Sequence, residues 1–273
     1  MSKKNDIQPV INSSTVNEHE VVVEIMGLQK SFGDQQVLRD ISFQLHTGEN
    51  LVVMGKSGSG KSVLIKCMVS LMPYDAGSIK VFGKEIKELP PDELSEIRTK
   101  IGFLFQSGAL YDSMTVRENL EFPLRRLRRE LNDKEIEEKV LETLENVGLA
   151  DAIDKMPSQL SGGMRKRISL ARTIVVDPKI ILYDEPTTGL DPVTSEEIST
   201  LMNSVQSKYK TSSIIITHDI TCARLTANRM VMLHDGVVLK DDLPEAFFNS
   251  TDPLIHAFFK DSSTSSINKS NTQ

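Results

Sequence analysis

The chain has 273 residues and a formal net charge of −6, with 39% hydrophobic and 26% charged residues. This length suits one large domain or two small ones, and the composition of an ordinary globular protein excludes a disordered or fibrous chain. The acidic charge argues against a nucleic acid as the main partner, because nucleic acids bind basic surfaces.

Residues 1–20 are polar and show no apolar periodicity, which predicts a flexible N-terminal arm. They also lack the apolar segment of ~7–15 residues that a signal peptide needs. The two cysteines, Cys67 and Cys222, are too few for a disulfide framework and fit a reducing compartment. We therefore expect the chain to stay in the cytosol.

Strand signals begin at Val21. The stretches VVVEIMGL and VLRDISFQL alternate polar and apolar residues, which favours an antiparallel sheet, whereas NLVVM is apolar like a buried parallel strand. The longest apolar runs, Leu51–Met54, Ile180–Tyr183 and Ile214–Ile216, are far shorter than the ~18 residues of a membrane-spanning helix. The pattern predicts an α/β fold that does not cross a bilayer.

A glycine-rich loop, GKSGSGKS, runs from Gly55 to Ser62 between the strand NLVVM and a predicted helix. It fits the phosphate-binding pattern G-x-x-x-x-G-K-[ST] in the strand–loop–helix context that this pattern requires. Gly55, Gly58 and Gly60 leave backbone N–H groups open to phosphate oxygens, and the helix start adds further donors. Lys61 would reach the β- and γ-phosphates, and the Ser62 hydroxyl would bind Mg²⁺. The loop therefore predicts a nucleoside triphosphate site rather than a glycine–serine linker.

From about Asp92 to Ser158 the chain is rich in helix formers, with IGFLFQ as a short strand candidate. The segment KEIEEKVLETLENVG places apolar residues on one predicted helix face, and Gly148 suits its C-terminal cap. These residues are Ile136, Val140, Leu141, Leu144 and Val147. We predict a helical insertion at about residues 93–164, between core segments 21–92 and 165–245.

Strand–helix alternation resumes after the insertion. Predicted helices at Gly162–Val176 and Pro192–Lys208 precede the apolar strands KIILY and SIIIT. The strands RMVML and VVLKD then flank Asp235-Gly236, a pair that favours a hairpin turn. Residues 246–273 are predicted to form a short helix in DPLIHAFF, docked on the core or on a partner, followed by a disordered tail.

Asp184 and Glu185 follow the apolar strand IILY at its carboxyl end, where ligands bind in open α/β sheets. Alone, such a pair is typical of an ordinary strand-end turn. Together with the phosphate loop, Asp184 suits a Mg²⁺ ligand, directly or through water, and Glu185 suits the base for a water that attacks the γ-phosphate. A nucleotide kinase would also need an acceptor site, for which the sequence gives no clear signature.

The segment LSGGM, from Leu160 to Met164, lies between the phosphate loop and the carboxylate pair. Through it the sequence resembles the ATPase subunits of ABC (ATP-binding cassette) transporters, whose usual signature is LSGGQ. The resemblance covers about Val21 to Asp241 and implies an ATP-hydrolysing domain at residues 21–245 that uses Mg²⁺. It implies a P-loop NTPase (RecA-like) core with an antiparallel β subdomain and a helical insertion subdomain.

Four further positions take their roles from this resemblance. Phe32 matches the aromatic residue that stacks on adenine, and Gln106 matches the glutamine that senses Mg²⁺ and the γ-phosphate. Asp191 matches the loop that contacts the partner subunit, and His218 matches the switch histidine at the γ-phosphate. The implied nucleotide-binding residues are Phe32, Gly55, Lys56, Ser57, Gly58, Ser59, Gly60, Lys61, Ser62, Val63, Ser161, Gly162, Gly163 and Asp191. The implied catalytic residues are Glu185, His218, Lys61 and Gln106, and the implied Mg²⁺ ligands are Ser62, Gln106 and Asp184.

The segment Ser161-Gly162-Gly163 opens a predicted helix, so its N–H groups and the helix dipole form a second anion site. No internal repeat is evident, so the chain carries one copy of each motif. In the family the two anion sites of a subunit face apart and complete each other when two subunits dimerise head to tail. The resemblance therefore implies that hydrolysis needs a dimer.

A closer resemblance lies in FLFQSGALYDSMTVRENLEFPLR, from Phe103 to Arg125, and in Met164. Both resemble the ATPases of MCE-associated (Mla-type) phospholipid transport systems, which pair the ATPase with an integral membrane permease and a lipid-binding MCE protein. This implies a peripheral subunit on the cytoplasmic face of the inner membrane. The apolar residues after Gln106 either dock the permease's coupling helix or belong to the core of the insertion. They are Ala109, Leu110, Tyr111, Met114 and Val116.

The same residues fit two other functions. A soluble ABC protein in DNA repair, ribosome function or cofactor assembly would work without a permease, although those acting on DNA or ribosomes usually carry paired cassettes or coiled-coil insertions. A transporter subunit for amino acids or metal ions would share every ATPase motif, and only the resemblance of residues 106–125 argues against it. The motifs give neither the direction of transport nor the identity of the lipid.

Overall fold

The computed structural model of the protein describes the backbone of residues 20–268 and the side chains of residues 20–260. The arm predicted for residues 1–20 therefore lies outside the described residues except for Glu20. Residues 269–273 of the predicted tail lie outside them as well.

Ten strands form one sheet within residues 20–268, in the order β5-β4-β1-β2-β10-β9-β3-β8-β7-β6. The strands are β1 (Val21–Phe32), β2 (Gln35–His46), β3 (Asn50–Met54), β4 (Ala76–Val81), β5 (Lys84–Glu85), β6 (Ile101–Leu104), β7 (Ile180–Asp184), β8 (Ser212–Ile216), β9 (Arg229–His234) and β10 (Val237–Asp242). The mixed sheet confirms the predicted α/β class.

The sheet has an antiparallel part and a mostly parallel part. Strands β1, β2, β4 and β5 pair antiparallel, as their alternating sequences predict. Strand β3 pairs in parallel with both β8 and β9, so the uniformly apolar NLVVM is buried in the middle of the parallel part. The two parts meet where Val237 of β10 pairs with Asp40 of β2. Asp235 and Gly236, both with positive φ (45° and 76°), close the hairpin between β9 and β10.

The α-helices are numbered in chain order. They are α1 (Lys61–Met68), α2 (Pro91–Thr99), α3 (Val116–Leu127), α4 (Asp133–Asn146), α5 (Gly162–Ile174), α6 (Pro192–Tyr209), α7 (Ile220–Thr226), α8 (Pro244–Phe248) and α9 (Pro253–Asn268). The starts of α3 and α4 are fixed by capping boxes, Thr115 with Glu118 and Asn132 with Glu135. Gly148, just beyond α4, has φ +69° and fits its predicted capping role.

The parallel strands separate two hydrophobic cores. Because side chains alternate along a strand, Val52 and Met54 face one core while Leu51 and Val53 face the other. The first core also holds buried residues of the helices α3 to α9, and the second holds those of the antiparallel strands with α1 and α2. Packing on both faces of the sheet fixes the carboxyl end of β7, where Asp184 stands and which Glu185 follows.

The helical insertion differs from its prediction in two details. Strand β6 pairs in parallel with β7, and Ile97 of α2 packs in the second core, so the inserted helices begin with α3 rather than at residue 93. Leu141 is 38% exposed, whereas Val140 and Leu144 are fully buried. Successive helical residues are separated by about 100°, so Val140 and Leu141 do not share the buried stripe.

The chain ends on the first core. Ile255 and Phe258 of α9 are buried there, so the predicted C-terminal helix docks on this chain's own core. Helix α9 is described through Asn268, so it extends into the segment predicted to be a disordered tail. Extending a helix that is already nucleated by packing costs far less than starting one, which allows this polar segment to stay helical.

Candidate functional site

The glycine-rich loop connects buried strand β3 to α1, with Gly60 at the start of the helix in a left-handed conformation (φ +95°). A Cβ on Gly60 would lie 2.6 Å from Cδ2 of Leu38. A Cβ on Gly55 would lie 2.6 Å from the backbone oxygen of Leu233. Side chains are therefore excluded by neighbouring strands at both ends of the loop. The backbone N–H groups and the helix start are left to bind an anion.

Lys61 is 7% exposed, and its ammonium donates to the carbonyl oxygens of Gly55 (2.7 Å) and Lys56 (3.0 Å). Burial lowers the pKa of Lys61, and the negative charges of Glu185 and Asp184 oppose that shift. The lysine is thus held at the mouth of the loop, facing the carboxylates at the end of β7. This position suits a cation that neutralises a triphosphate.

Asp184 ends strand β7, and the hydroxyl of Ser62 lies 3.4 Å from its Oδ1. Burial and then the charge of Glu185 raise the pKa of Asp184, so a divalent cation would be favoured here as its counter-charge. Within the described residues there is no cluster of three or more His, Cys, Asp and Glu side chains suited to a metal. The hydroxyl and carboxylate oxygens fit Mg²⁺ that takes most of its ligands from phosphates and water.

Glu185 has φ +51°, a left-handed conformation that a non-glycine residue adopts at a cost of about 1–2 kcal/mol. Its N–H donates to the carbonyl oxygen of Ile216 in β8 (2.9 Å), which anchors this turn to the neighbouring strand. The turn separates the direction of Glu185 from that of Asp184. The sequence predicts different roles for the two carboxylates but gives no signal of this backbone conformation.

The Glu185 carboxylate, with 14% of its side chain exposed, lies 2.8 Å from Nδ1 of His218. Thr188 also donates to its Oε2 (3.2 Å), a contact that the sequence analysis missed because Thr188 belongs to no charged or glycine pattern. The hydrogen bond to Glu185 raises the pKa of His218, and partial burial opposes the rise. The structure thus joins the predicted base and the predicted switch histidine directly.

Gln106 follows the end of β6 and is exposed. The backbone carbonyl oxygen of Gln106 accepts a hydrogen bond from the ammonium of Lys166 in α5 (2.6 Å). Burial lowers the pKa of Lys166, while Asp184 and Glu185 attract its charge. In the part of the chain that the structure describes, no hydrogen bond joins the Gln106 side chain to Asp184.

The segment LSGGM forms the start of α5. Ser161 caps the helix by accepting a hydrogen bond from the N–H of Met164 (3.2 Å). A Cβ on Gly163 would lie 2.7 Å from the methyl group of Thr194, whereas a Cβ on Gly162 would meet its nearest neighbour at 3.8 Å. The helix start is therefore closed toward α6 at Gly163 and open at Gly162.

A cavity of about 500 Å³, the signature cavity, lies at this helix start. Asp191 lines it as the N-terminal cap of α6 and accepts bonds from the N–H (3.0 Å) and the hydroxyl (2.6 Å) of Thr194. These bonds lower the pKa of Asp191. The lining consists of Leu149, Ser161, Gly162, Gly163, Met164, Arg167, Gly189, Leu190, Asp191, Thr194 and Glu197. It includes neither the glycine-rich loop nor Asp184, Glu185 or His218.

Phe32 ends β1 and is 47% exposed. The ammonium of Lys30 lies 5.4 Å from the centre of its ring, and Asp75 binds both Lys30 (2.9 Å) and the N–H of Ser31 (2.6 Å). Asp75 thus steadies the strand end that carries the ring. An exposed, supported ring is what a base-stacking residue requires.

The segment after Gln106 divides between surface and core. Val116 is fully buried, whereas Tyr111 is 41% exposed and meets the 38% exposed Phe122 edge to face, with ring centres 5.3 Å apart. Phe105 is also 38% exposed. Phe105 stacks on Phe103, with ring centres 4.0 Å apart, so we call only Tyr111 and Phe122 the aromatic patch. Between residues 20 and 268, no helix has both the length and the apolar character needed to cross a membrane.

A profile described as ABC transporter matches residues 38–188. The chain is 40% identical over 238 residues to the probable ribonucleotide transport ATP-binding protein mkl of Mycobacterium leprae, covering 87% of this chain and 68% of that protein. It is 36% identical over 259 residues to the chloroplastic protein TRIGALACTOSYLDIACYLGLYCEROL 3 of Arabidopsis thaliana, covering 89% of this chain and 74% of that protein. Other relatives, 35–37% identical, are named as glutamate transport and methionine import ATP-binding proteins.

Among solved structures, the chain resembles the ATP-binding cassette MJ0796 in a dimeric post-hydrolysis state bound to ADP and Pi. The TM-score is 0.73 at 33% identity, and the match covers 81% of this chain and 98% of that one.

Proposed function

Because the chain belongs to the ABC transporter family, we propose that it energises the movement of phospholipid through a separate integral membrane permease. It is an ATP-binding and ATP-hydrolysing subunit that uses ATP with Mg²⁺. The proposed cargo and membrane partners go beyond this shared activity, and each rests on features of this chain.

The exposed aromatic patch carries the proposal of a permease. Tyr111 and Phe122 are large, mutually packed side chains left on the surface of the segment that resembles Mla-type ATPases. Such rings at a surface favour a protein interface, where an apolar ring can be covered by a partner. We place the coupling segment of the permease here, which makes this subunit peripheral on the cytoplasmic face of the membrane.

Phospholipid is the cargo that the sequence pattern favours. The segment from Phe103 to Arg125 and Met164 resemble the Mla-type phospholipid systems. The Arabidopsis relative is named after a galactolipid, which supports a lipid cargo in general, because a galactolipid has no phosphate. An MCE-type lipid-binding protein is the further partner that this cargo implies. The names of other relatives, for ribonucleotide, glutamate and methionine, support a second candidate, a transporter subunit for a small polar molecule.

Glu185 is the proposed base in hydrolysis. Its carboxylate is bound by Thr188 and His218, so it is oriented at the end of β7 and available to accept a proton from the attacking water. We propose that His218, with most of its side chain exposed, contacts the γ-phosphate when ATP is bound. Lys61 stabilises the negative charge that develops on the transferring group.

Ser62, Asp184 and Gln106 are the proposed ligands of Mg²⁺, which supplies charge neutralisation at the phosphate oxygens when it is bound. The remaining loop residues bind phosphate through their N–H groups, and Phe32 stacks on adenine. The remaining loop residues are Gly55, Lys56, Ser57, Gly58, Ser59, Gly60 and Val63.

The catalytic unit is proposed to be a head-to-tail dimer. The signature cavity offers Ser161 and the free N–H groups of the α5 start, but its one cap carboxylate, Asp191, is engaged with Thr194. The signature cavity suits the binding of a phosphate that is held by the glycine-rich loop of a partner copy. The related cassette MJ0796 is dimeric with ADP and Pi, which supports a dimer as the catalytic unit.

Purification from solubilised membranes tests the proposal. The tagged chain is compared with the double variant Tyr111→Ser/Phe122→Ser and with Leu141→Ser, a control that removes another exposed apolar side chain of the insertion. We expect a permease, an MCE-type protein and phospholipid to co-purify with the wild type and the control, and to be lost from the double variant. The ATPase activity of the isolated chain should be equal in all three.

Three other outcomes contradict parts of the proposal. Co-purification of an amino-acid permease without lipid would favour the second candidate. A chain recovered alone from every membrane preparation would favour a soluble ABC protein. Equal recovery of the permease with the double variant would remove the aromatic patch as the docking surface.

A further inference from the structure

One face of α5 follows the chain segment that begins at Gln106. Lys166 donates to the carbonyl oxygen of Gln106 (2.6 Å), and Arg172 donates to that of Ala109 (3.3 Å). Between them, Ser169 packs so closely on Gly108 that a Cβ there would lie 2.6 Å from its hydroxyl. Positions 166, 169 and 172 share one helix face, so a single face holds this segment at three successive points.

The segment held in this way has an unusual backbone. Gly108 has φ +81° and Ala109 has φ +50°, and for alanine a left-handed conformation costs about 1–2 kcal/mol. Such a conformation persists when its surroundings fix it. The contacts from α5 supply that constraint, and Arg172 also places its guanidinium 4.9 Å from the ring of Tyr111.

Packing alone does not explain why a lysine occupies position 166. It is 6% exposed, and its ammonium is directed at a backbone carbonyl rather than paired with a carboxylate within bonding distance. Burial of an ammonium is expensive, and an apolar side chain of similar length would often be more stable at such a site. Its charge is instead attracted by Asp184 and Glu185, which belong to the catalytic cluster.

We propose that Lys166 is a positioning residue that couples the start of α5 to Gln106. A phosphate of the partner's nucleotide that binds at Ser161 and Gly162 would shift or fix α5, and Lys166 would carry that change to the chain's own Gln106. The two nucleotide sites of the dimer would then be linked through one buried ammonium. This inference rests on the proposed roles of Gln106 and of the signature cavity.

A double-mutant cycle on the purified full chain tests the coupling. Lys166→Met should lower kcat for ATP about tenfold, a size within the range of coupling energies between sites, while KM for ATP changes less than about twofold. Lys166→Arg keeps a donor and should restore most of the activity. Lys139→Met is the matched control, because it removes another largely buried ammonium (23% exposed, 2.7 Å from Asp177) on α4.

The second arm of the cycle uses Gln106→Ala. If Lys166 acts through Gln106, adding Lys166→Met to Gln106→Ala should lower kcat less than about twofold further. Thermal unfolding of each variant shows how much of a change comes from lost stability. A structural role would instead give additive losses in kcat, or losses that follow the unfolding temperature and appear equally in Lys139→Met.

The possible failures are distinguishable. An unchanged kcat in Gln106→Ala would overturn the proposed role of Gln106 and this inference with it. A low kcat in Gln106→Ala, combined with a normal kcat in Lys166→Met or with additive losses, would overturn the coupling alone. A normal kcat in Lys166→Met with an intact fold would show that the ammonium has no part in the reaction.

Discussion

The starts of α1 and α5 are both open to an anion, but their surroundings differ. At α1, Lys61 and the carboxylates of Asp184 and Glu185 stand within one electrostatic cluster. At α5, the signature cavity contains hydroxyl and N–H donors, and its cap carboxylate, Asp191, is held by Thr194. The same element of secondary structure therefore carries the proposed catalytic centre in one place and only a proposed binding surface in the other.

This difference explains why one chain carries two anion sites but one Asp-Glu pair. A helix start attracts phosphate wherever it is exposed, but hydrolysis also needs a base and a charge-stabilising group. In this chain both stand at α1. In the proposed dimer, the start of α5 takes part in catalysis when it meets the α1 cluster of another copy.

The largest expected effect is at the α1 cluster. Glu185→Gln keeps the size of the side chain but removes the base, so kcat should fall about 10²–10⁴-fold. ATP binding should be retained, because Lys61 and the glycine-rich loop are unchanged. Phosphate release and equilibrium binding of ATP measure the two quantities. Glu142→Gln, at an exposed ion pair with Lys208, is the control and should be unaffected.

Normal turnover in Glu185→Gln would remove the assignment of the base. The contrast between the two helix starts would then rest on Lys61 and Asp184 alone. Loss of both binding and turnover would point instead to a structural role for the left-handed turn at Glu185.

The next largest effect tests whether each active site is formed by two copies of the chain. Lys61→Ala damages the α1 cluster, and Gly162→Asp places a carboxylate at the open start of α5, where Asp is compatible with the helix. Each variant alone should lose nearly all turnover. Mixed dimers contain one intact composite site, so an equal mixture should recover roughly a quarter of the wild-type activity if the sites act independently, and less if they are linked through Lys166 as proposed above.

The mixture experiment is read after exchange of subunits, with each variant measured alone at the same total concentration. Turnover that stays at the level of the single variants would contradict an active site shared between copies. High turnover of Gly162→Asp alone would show that α5 does not take part.

A smaller effect separates the two glycines of the signature. A Cβ at position 163 would lie 2.7 Å from the methyl group of Thr194, whose side chain is fixed by Asp191, so Gly163→Ala should destabilise the fold by about 1–3 kcal/mol. Gly162→Ala is the matched control and should be neutral or slightly stabilising, since alanine favours a helix. Urea unfolding measures both, and equal stability of the two variants would contradict the described packing.

The features that could be predicted from the sequence are those formed by residues that are contiguous in the chain. The loop from Gly55 to Ser62, buried strand β3 and the helix start at Gly162 follow from local spacing and apolar runs, and all three are found. The hairpin at Asp235-Gly236 was also predictable, because that pair tolerates positive φ.

Features that depend on distant contacts were not predictable. The left-handed turn at Glu185 is anchored by β8, and the bond from Lys166 to Gln106 joins residues 60 positions apart. Strand β6 has four residues and was assigned to the insertion, because its pairing with β7 depends on a partner about 80 residues away. Local patterns contain no information about which distant strand or helix will supply the partner.

The smallest expected effect is a pH dependence inside the α1 cluster. The hydrogen bond to Glu185 raises the pKa of His218 above its ordinary value of about 6.5. This contact therefore stabilises the fold below that pH, and its contribution is lost as the pH rises through the raised pKa. Because 62% of the His218 side chain is exposed, solvent screening should keep the contribution below about 1 kcal/mol. NMR titration should give a lower pKa for His218 in Glu185→Gln than in the wild type, and the stability difference between them should shrink from pH ~6 to pH ~9. Identical titration curves would mean that His218 and Glu185 are not joined in solution, and the α1 cluster would then lack a contact that orients its base.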